Sequence, residues 1–269
     1  MAITFEAYAR NNGAFKTARP MPSGSPVGII IHSTGVNNPN LRRYVNSPDI
    51  CGENPYKNYF DRPDSDVCPH AVIGLDKSGE VRAAKMLPWN ICCWGCGSGS
   101  KGSYNYSPAY IQIEIAEDSL ADCEYFERAF ALAANLCKRL MKNYPTIKPE
   151  NIISHHEARL RGYASNHADC DHWLGKFGKN MDWFRELVSP EKQVRITAEI
   201  TVAQSKADEI TRQLQALGCT VKSKKQPRSL NSGTAFTQLI RITFRSVVLY
   251  HTLSYLSIFE LDFVQKNRN

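Results

Sequence analysis

Val27-Gly28-Ile29-Ile30-Ile31 is an apolar run without polar alternation, bounded by Pro26 on one side and by Ser33-Thr34-Gly35 on the other. A run of this length between turn-forming residues reads as a buried strand. The chain must therefore build a sheet around this segment, and His32 stands at its C-terminal end. A second strand is predicted over residues 70–75, closed by the turn Asp76-Lys77-Ser78-Gly79, with a hairpin partner over 80–86. Ile111, Ile113 and Ile115 alternate with Gln112 and Glu114, so that the isoleucines face the core and Glu114 points away from them. Phe126, Phe130, Ala133, Cys137 and Leu140 recur at spacings of three and four, which predicts a helix over 123–142, capped by Asp122 and ended by Pro145. A strand over 151–154 and a helix over 181–188 complete the set. Residues 92–107, rich in Gly and Ser, read as a loop, and residues 164–173 carry too many polar groups for a core element. The expectation is an α/β domain over residues 1–188, a mixed central β-sheet flanked by helices.

Composition changes at Ser189-Pro190. Val194, Ile196, Ala198, Ile200 and Val202 alternate as a strand, and Ser205 with Asp208 forms a capping box for a helix bearing Ile210, Leu214 and Leu217. Gly218 stops that helix, and Cys219-Thr220-Val221 opens a return strand. Residues 191–228 thus read as a small C-terminal β-α-β module with a basic edge of Lys222, Lys224, Lys225 and Arg228. Residues 229–269 read as a tail. Its apolar stretch over 246–259 is interrupted by His251 and flanked by charges, which leaves it short of the ~20 residues that span a bilayer. No membrane insertion is expected.

A net charge of +7 favours an acidic partner such as an anionic cell wall, lipid or nucleic acid. No nucleic-acid-binding motif accompanies the charge, so no such partner is expected. The N-terminus MAITFEAYARNNGAF has no basic leader followed by an apolar stretch, which predicts synthesis in the cytoplasm without a signal peptide. Nine irregularly spaced cysteines argue for free or buried thiols over a disulfide framework. Cys92, Cys93 and Cys96 lack a second pair at zinc-site spacing.

Five of the seven histidines are His32 or fall between residues 155 and 172, a stretch that also holds Asp169 and Asp171. Histidine and aspartate offer neutral nitrogen and anionic oxygen, and three such ligands plus water is the arrangement of a catalytic zinc. Placement at strand ends preorganises a site of this kind. The residues alone leave the ligand set open.

GIIIHSTG, PHAVIGLDKSGEV, IQIEIAEDSL and SHHEARLRGYASNHADCDHW occur in that order. Together they resemble the type 2 N-acetylmuramoyl-L-alanine amidases, a superfamily that includes phage endolysins, bacterial autolysins and peptidoglycan recognition proteins. The resemblance covers residues 1–188. It implies a Zn2+ ion held at strand ends by His32, His155 and Asp169, with His156 as the rival for the second place. Adjacent strand residues point to opposite faces, so only one of that pair reaches a metal, and the SH-x-E pattern of similar amidases favours His155. Glu114 takes the family's general acid/base position. His167 lies where many relatives carry a lysine that stabilises the oxyanion. Trp94, His70 and Asn166 are the substrate-binding candidates.

Two departures stand out. Trp94-Gly95-Cys96-Gly97 replaces the common Trp-His-Cys-Gly or Trp-His-Ala-Gly, so a substrate-contacting histidine is missing, and residues 105–110 differ from the usual Asn-Asn-Thr-His stretch. The resemblance implies hydrolysis of the amide between the lactyl group of N-acetylmuramic acid and L-alanine, by water that zinc activates and Glu114 deprotonates. The alternative, mildly favoured by Gly95, is a non-catalytic peptidoglycan-binding protein. Peptidoglycan is the expected partner, reached by endolysin-like release or non-classical export, and residues 191–228 are the candidate wall-binding module. No feature fixes an oligomeric state.

Overall fold

The apolar run forms β2 (Ile29–Ser33), buried along its whole length. A strand without a polar face needs cover on both sides, and its neighbours supply it. The computed structural model of the chain describes residues 4–189 and, beyond them, 196–203, 208–212, 215, 220–226, 237–244 and 264–266. Two units are present, Met1–Ser189 and Pro190–Asn269.

In the first unit β2 joins β1 (Thr4–Glu6), β3 (Ala71–Leu75), β4 (Val81–Lys85), β5 (Ile111–Ile115) and β6 (Ile152–Ser154) in the order β1-β4-β3-β5-β2-β6. β2 runs parallel to β5 and β6, β3 parallel to β5, and β4 antiparallel to β3 as the hairpin turn requires. The sheet is therefore mixed, as expected. Two short helices, α1 (Gly13–Thr17) and α2 (Pro48–Cys51), lie in the loops around β2.

One face of the sheet presents Ile29, Ile31, Ile111, Ile113, Ile115 and Ile152. Against it packs α3 (Cys123–Asn143), whose buried residues include Phe126, Phe130, Ala133 and Cys137. Asp122 caps this helix, its side chain accepting from the Tyr125 amide at 3.0 Å. Full burial of a large apolar side chain contributes about 1.5–3 kcal/mol, so Phe126 and Phe130 alone anchor the helix firmly. The other face carries Ile30 and Ile153 under Tyr104 and Tyr110, with Val72 and Ala84 under Leu41 and Leu87. His32, Gln112 and Glu114 belong to this second face, by the alternation along β2 and β5.

Three helices follow β6: α4 (His155–Leu160), α5 (Asp171–Lys176) and α6 (Met181–Val188). Residues 164–173, read from their polarity as lying outside the core, contribute Ala164, Cys170 and Trp173 to it. A helix of six residues shows only one or two apolar positions to the interior, and its polar majority masks them. The eight described cysteines are free, all buried except Cys123. Among the described residues no helix is long and apolar enough to cross a membrane.

The second unit holds β7 (Ile196–Ala203), β8 (Thr220–Gln226), β9 (Thr237–Phe244) and β10 (Val264–Lys266), an antiparallel sheet ordered β10-β7-β9-β8. Helical residues 208–212 separate β7 from β8. The strands expected on either side of this helix are present, but they are not neighbours. β9 lies between them and pairs with both, so the segment read as a tail supplies an inner strand. Val194, Ser205, Leu214, Leu217, Gly218, Cys219, Arg228 and the apolar stretch over 246–259 lie outside the described residues.

Candidate active site

β2 and β5 run in register with His32 opposite Glu114. β6 ends at Ser154, which caps α4: its hydroxyl accepts from the Glu157 amide at 3.0 Å, and the Glu157 carboxylate accepts from the Ser154 amide at 3.2 Å. This reciprocal capping box fixes the direction in which the chain leaves the sheet. Arg185 clamps the same Glu157 carboxylate with two donors at 2.8 and 3.0 Å. The acidic residue of the SHHE string is thus a structural anchor.

His155 is the first residue of a helix, not a strand residue, so strand alternation is not what separates it from His156. Helix geometry does the separating. His155 is 1% exposed, while His156 is partly exposed and its amide donates to the Asp169 carbonyl at 3.0 Å.

Among the described residues, one group of His, Cys, Asp or Glu has the spacing to hold a metal: His32, His155 and Asp169. Nδ1 of His32 lies 3.1 Å from Nδ1 of His155 and 3.2 Å from Oδ2 of Asp169, and His155 Nδ1 lies 3.5 Å from Asp169 Oδ1. Bonds of ~2.0–2.1 Å to a tetrahedral zinc place ligand atoms ~3.3 Å apart. The three separations bracket that value, and two imidazoles with one carboxylate are a donor set that zinc accepts. Burial works to raise the Asp169 carboxyl, but the adjoining His155 and His32 imidazoles outweigh it and hold the group well below the usual carboxylate range.

Glu114 is partly buried, and burial together with the charges of Asp169 and Glu117 pushes its carboxyl well above the ordinary value. It opens onto a cleft of about 360 Å³ whose walls include Thr34, Arg43, Tyr44, Phe60 and Arg62. His167 lies beside the metal group with 63% of its side chain exposed, Nδ1 3.8 Å from Asp169 Oδ1 and its ring 4.6 Å from that of His155. Asn166 is exposed beside it, and Trp94 is partly buried against the cluster that contains Leu87 and Cys93.

His70 departs from the expected substrate contact. It is fully buried, its Nδ1 accepts from the Gln112 amide at 3.0 Å, and its Nε2 therefore carries the proton and donates to the Ile91 carbonyl at 2.9 Å. Burial lowers it to about 4 despite the Ile91 bond. Such a ring is a neutral strut between β5 and the loop after β4, with no surface left for a ligand.

Residue types alone did not single out Gln112, Asn105, Ser165 or Glu117. Glu117 accepts from the Ser33 hydroxyl, from the Gly35 amide at 3.1 Å and from His172 Nε2 at 3.0 Å, and so pins the chain where it leaves β2. For Gln112 the signal was present: it shares a polar strand face with Glu114.

Residues 22–172 match the family model described as N-acetylmuramoyl-L-alanine amidase, a span that contains His32, Glu114, His155, His167 and Asp169. No curated protein matches the chain. The matched span is more than half of the 269 residues, and the chain belongs to the N-acetylmuramoyl-L-alanine amidase family, the peptidoglycan amidases.

Proposed function

We propose that the protein is a Zn2+-dependent hydrolase of the amide between the lactyl group of N-acetylmuramic acid and L-alanine of the stem peptide. The observation that carries this reading is the convergence of His32, His155 and Asp169, whose three ligand atoms lie within 4.8 Å of one another beside the Glu114 cleft. When bound there, zinc supplies a Lewis acid of net charge about +1 that polarises a carbonyl and lowers the pKa of water toward ~7.

Glu114 is the general acid/base. Its Oε accepts a proton from the attacking water and returns it to the departing L-alanine nitrogen. A carboxyl raised above its ordinary value suits both halves of that task, because a proton-transfer group works best with a pKa near the operating pH. His167, exposed beside the metal group, hydrogen-bonds the oxygen that becomes negative as the carbonyl is attacked. Trp94 and Asn166 contact the substrate along the approach to the cleft. The unit containing β7 to β10, whose β8 bears Lys222, Lys224 and Lys225, holds the enzyme on the anionic wall.

The direct test is the identity of the bond cut. Purified cell walls incubated with the protein should release muropeptides whose new amino terminus is L-alanine, and Glu114→Gln should suppress that release. New reducing sugar ends without L-alanine termini would contradict the assignment.

A further inference from the structure

The two histidines of the candidate metal group are each held from behind, and both restraints end on the same four-residue stretch, Trp94-Gly95-Cys96-Gly97. We infer that Gln112 and Ser165 are positioning residues that fix the tautomers of His32 and His155, and that Gly95 and Gly97 exist to make room for them. This rests on the zinc reading above.

Backbone amides fix the orientation of the first relay. An N–H can only donate, and the amides of Gly95 and Cys96 point at Asn105 Oδ1 from 3.1 and 3.2 Å. That atom must therefore be the oxygen of the Asn105 amide. Gln112 approaches the same oxygen at 2.7 Å, so it presents its nitrogen there, which turns its own oxygen toward His32 Nε2 at 3.1 Å. An amide oxygen only accepts. His32 Nε2 consequently carries the ring proton, and the lone pair sits on Nδ1, the atom that faces Asp169 and His155.

The second relay has the same logic. Ser165 Oγ lies 3.2 Å from the Cys96 carbonyl, which can only accept, so the hydroxyl spends its single proton there. The same oxygen lies 3.3 Å from His155 Nε2 and accepts from it. Nδ1 of His155 is again left with the lone pair. Two imidazole lone pairs and a carboxylate then converge with no hydrogen among them, an arrangement that a cation satisfies. Outer partners of this kind orient metal-binding imidazoles and raise their basicity.

The two glycines admit these partners. A Cβ at Gly95 would stand 2.5 Å from Gln112 Oε1, and one at Gly97 would stand 2.7 Å from Ser165 Oγ, with φ at +62°. Gln112 is fully buried and Asn105 is 6% exposed, so neither has a solvent role to explain its place.

The experiment measures Zn2+ affinity of the full-length protein by competition with a chromogenic chelator, alongside the visible spectrum of the Co2+-substituted form. Gln112→Met, similar in length but without the amide, and Ser165→Ala should each weaken zinc about 10- to 100-fold and alter the cobalt bands. Circular dichroism should report an unchanged fold. Gly95→Ala should weaken zinc in the natural background and add nothing in Gln112→Ala, where the space is free. If Gly95→Ala fails to fold, the first two variants decide alone. Zinc affinity within twofold of the parent, with an unchanged cobalt spectrum, overturns the assignment for whichever residue shows it. The control is His32→Ala: zinc binding that survives it overturns the proposed metal site itself and this inference with it, whereas loss there but not in Gln112→Met or Ser165→Ala overturns the positioning roles only.

Discussion

His32 Nδ1 and Asp169 Oδ2 lie 3.2 Å apart although 137 residues separate them in the chain. The contact exists because β2 runs parallel between β5 and β6 and the loop after α4 returns to its C-terminal end. Any metal held there ties the first and last parts of the matched span together. His32→Ala, His155→Ala and Asp169→Ala should therefore each abolish zinc retention, while His156→Ala should keep it. Metal content of the purified variants checks this, and the reverse outcome for the two neighbouring histidines would reassign the second ligand.

Chemistry separates from metal binding at Glu114 and His167. Glu114→Gln should keep its zinc and lose about 10²–10⁴-fold in turnover, the usual worth of a general acid/base. His167→Ala should lose about 10²–10³-fold, the usual worth of one oxyanion donor, and His167→Lys should restore part of it. Turnover on a soluble muropeptide, with zinc content measured in parallel, distinguishes these losses from loss of the ion. Failure of lysine to recover any rate would remove the oxyanion role.

His70 gives a pH dependence of stability that is independent of the metal group. Its ordinary pKa is ~6.5, and burial lowers it to about 4 in the folded protein. The folded state thus binds fewer protons than the unfolded chain between those values, and stability falls as the pH drops through that window. The contribution, about 3 kcal/mol, is complete above the unfolded value and is lost by the time the folded value is passed. Urea unfolding of metal-free protein at pH 7.5 and pH 4.5 should show that His70→Gln loses less on acidification than the parent. Equal losses would mean that the imidazole is not held neutral.

The second unit should be dispensable for turnover. A chain ending at Ser189 is expected to cleave soluble muropeptide and to bind insoluble walls weakly, and wall binding by the full chain should decline with salt if its charge is responsible. A chain ending at Arg228 keeps β7 and β8 but lacks β9, which pairs with both. It should be cut by protease within the second unit faster than the full chain. Equal resistance would show that the sheet does not need its inner strand.

Period-two alternation made much of this legible in the sequence. It placed Glu114 opposite the isoleucine face of β5, and the apolar run placed His32 at the end of a buried parallel strand. Other features depend on contacts that no local pattern records. The switch from strand to helix at His155 is set by the Ser154–Glu157 capping box, which a histidine-rich string obscures. His70 looks like a ligand by residue type, yet two backbone groups consume both its nitrogens. The relay from Asn105 through Gln112 joins residues on different elements, and only the folded register brings it to His32. Thr237–Phe244 carries its own alternation, with Ile240, Ile242 and Phe244, but nothing local to it reveals that β7 and β8 flank it.

Zinc at the His32, His155 and Asp169 group should be required to cut the lactyl–L-alanine amide. The most direct measurement of this requirement is the rate at which new L-alanine amino termini appear from purified walls, using protein stripped with a chelator and then titrated with Zn2+. No release is expected from the stripped protein and full recovery near one zinc per chain, with none in His32→Ala at any zinc concentration. Release of L-alanine termini by the metal-free protein, or by His32→Ala at the parent's rate, would contradict it.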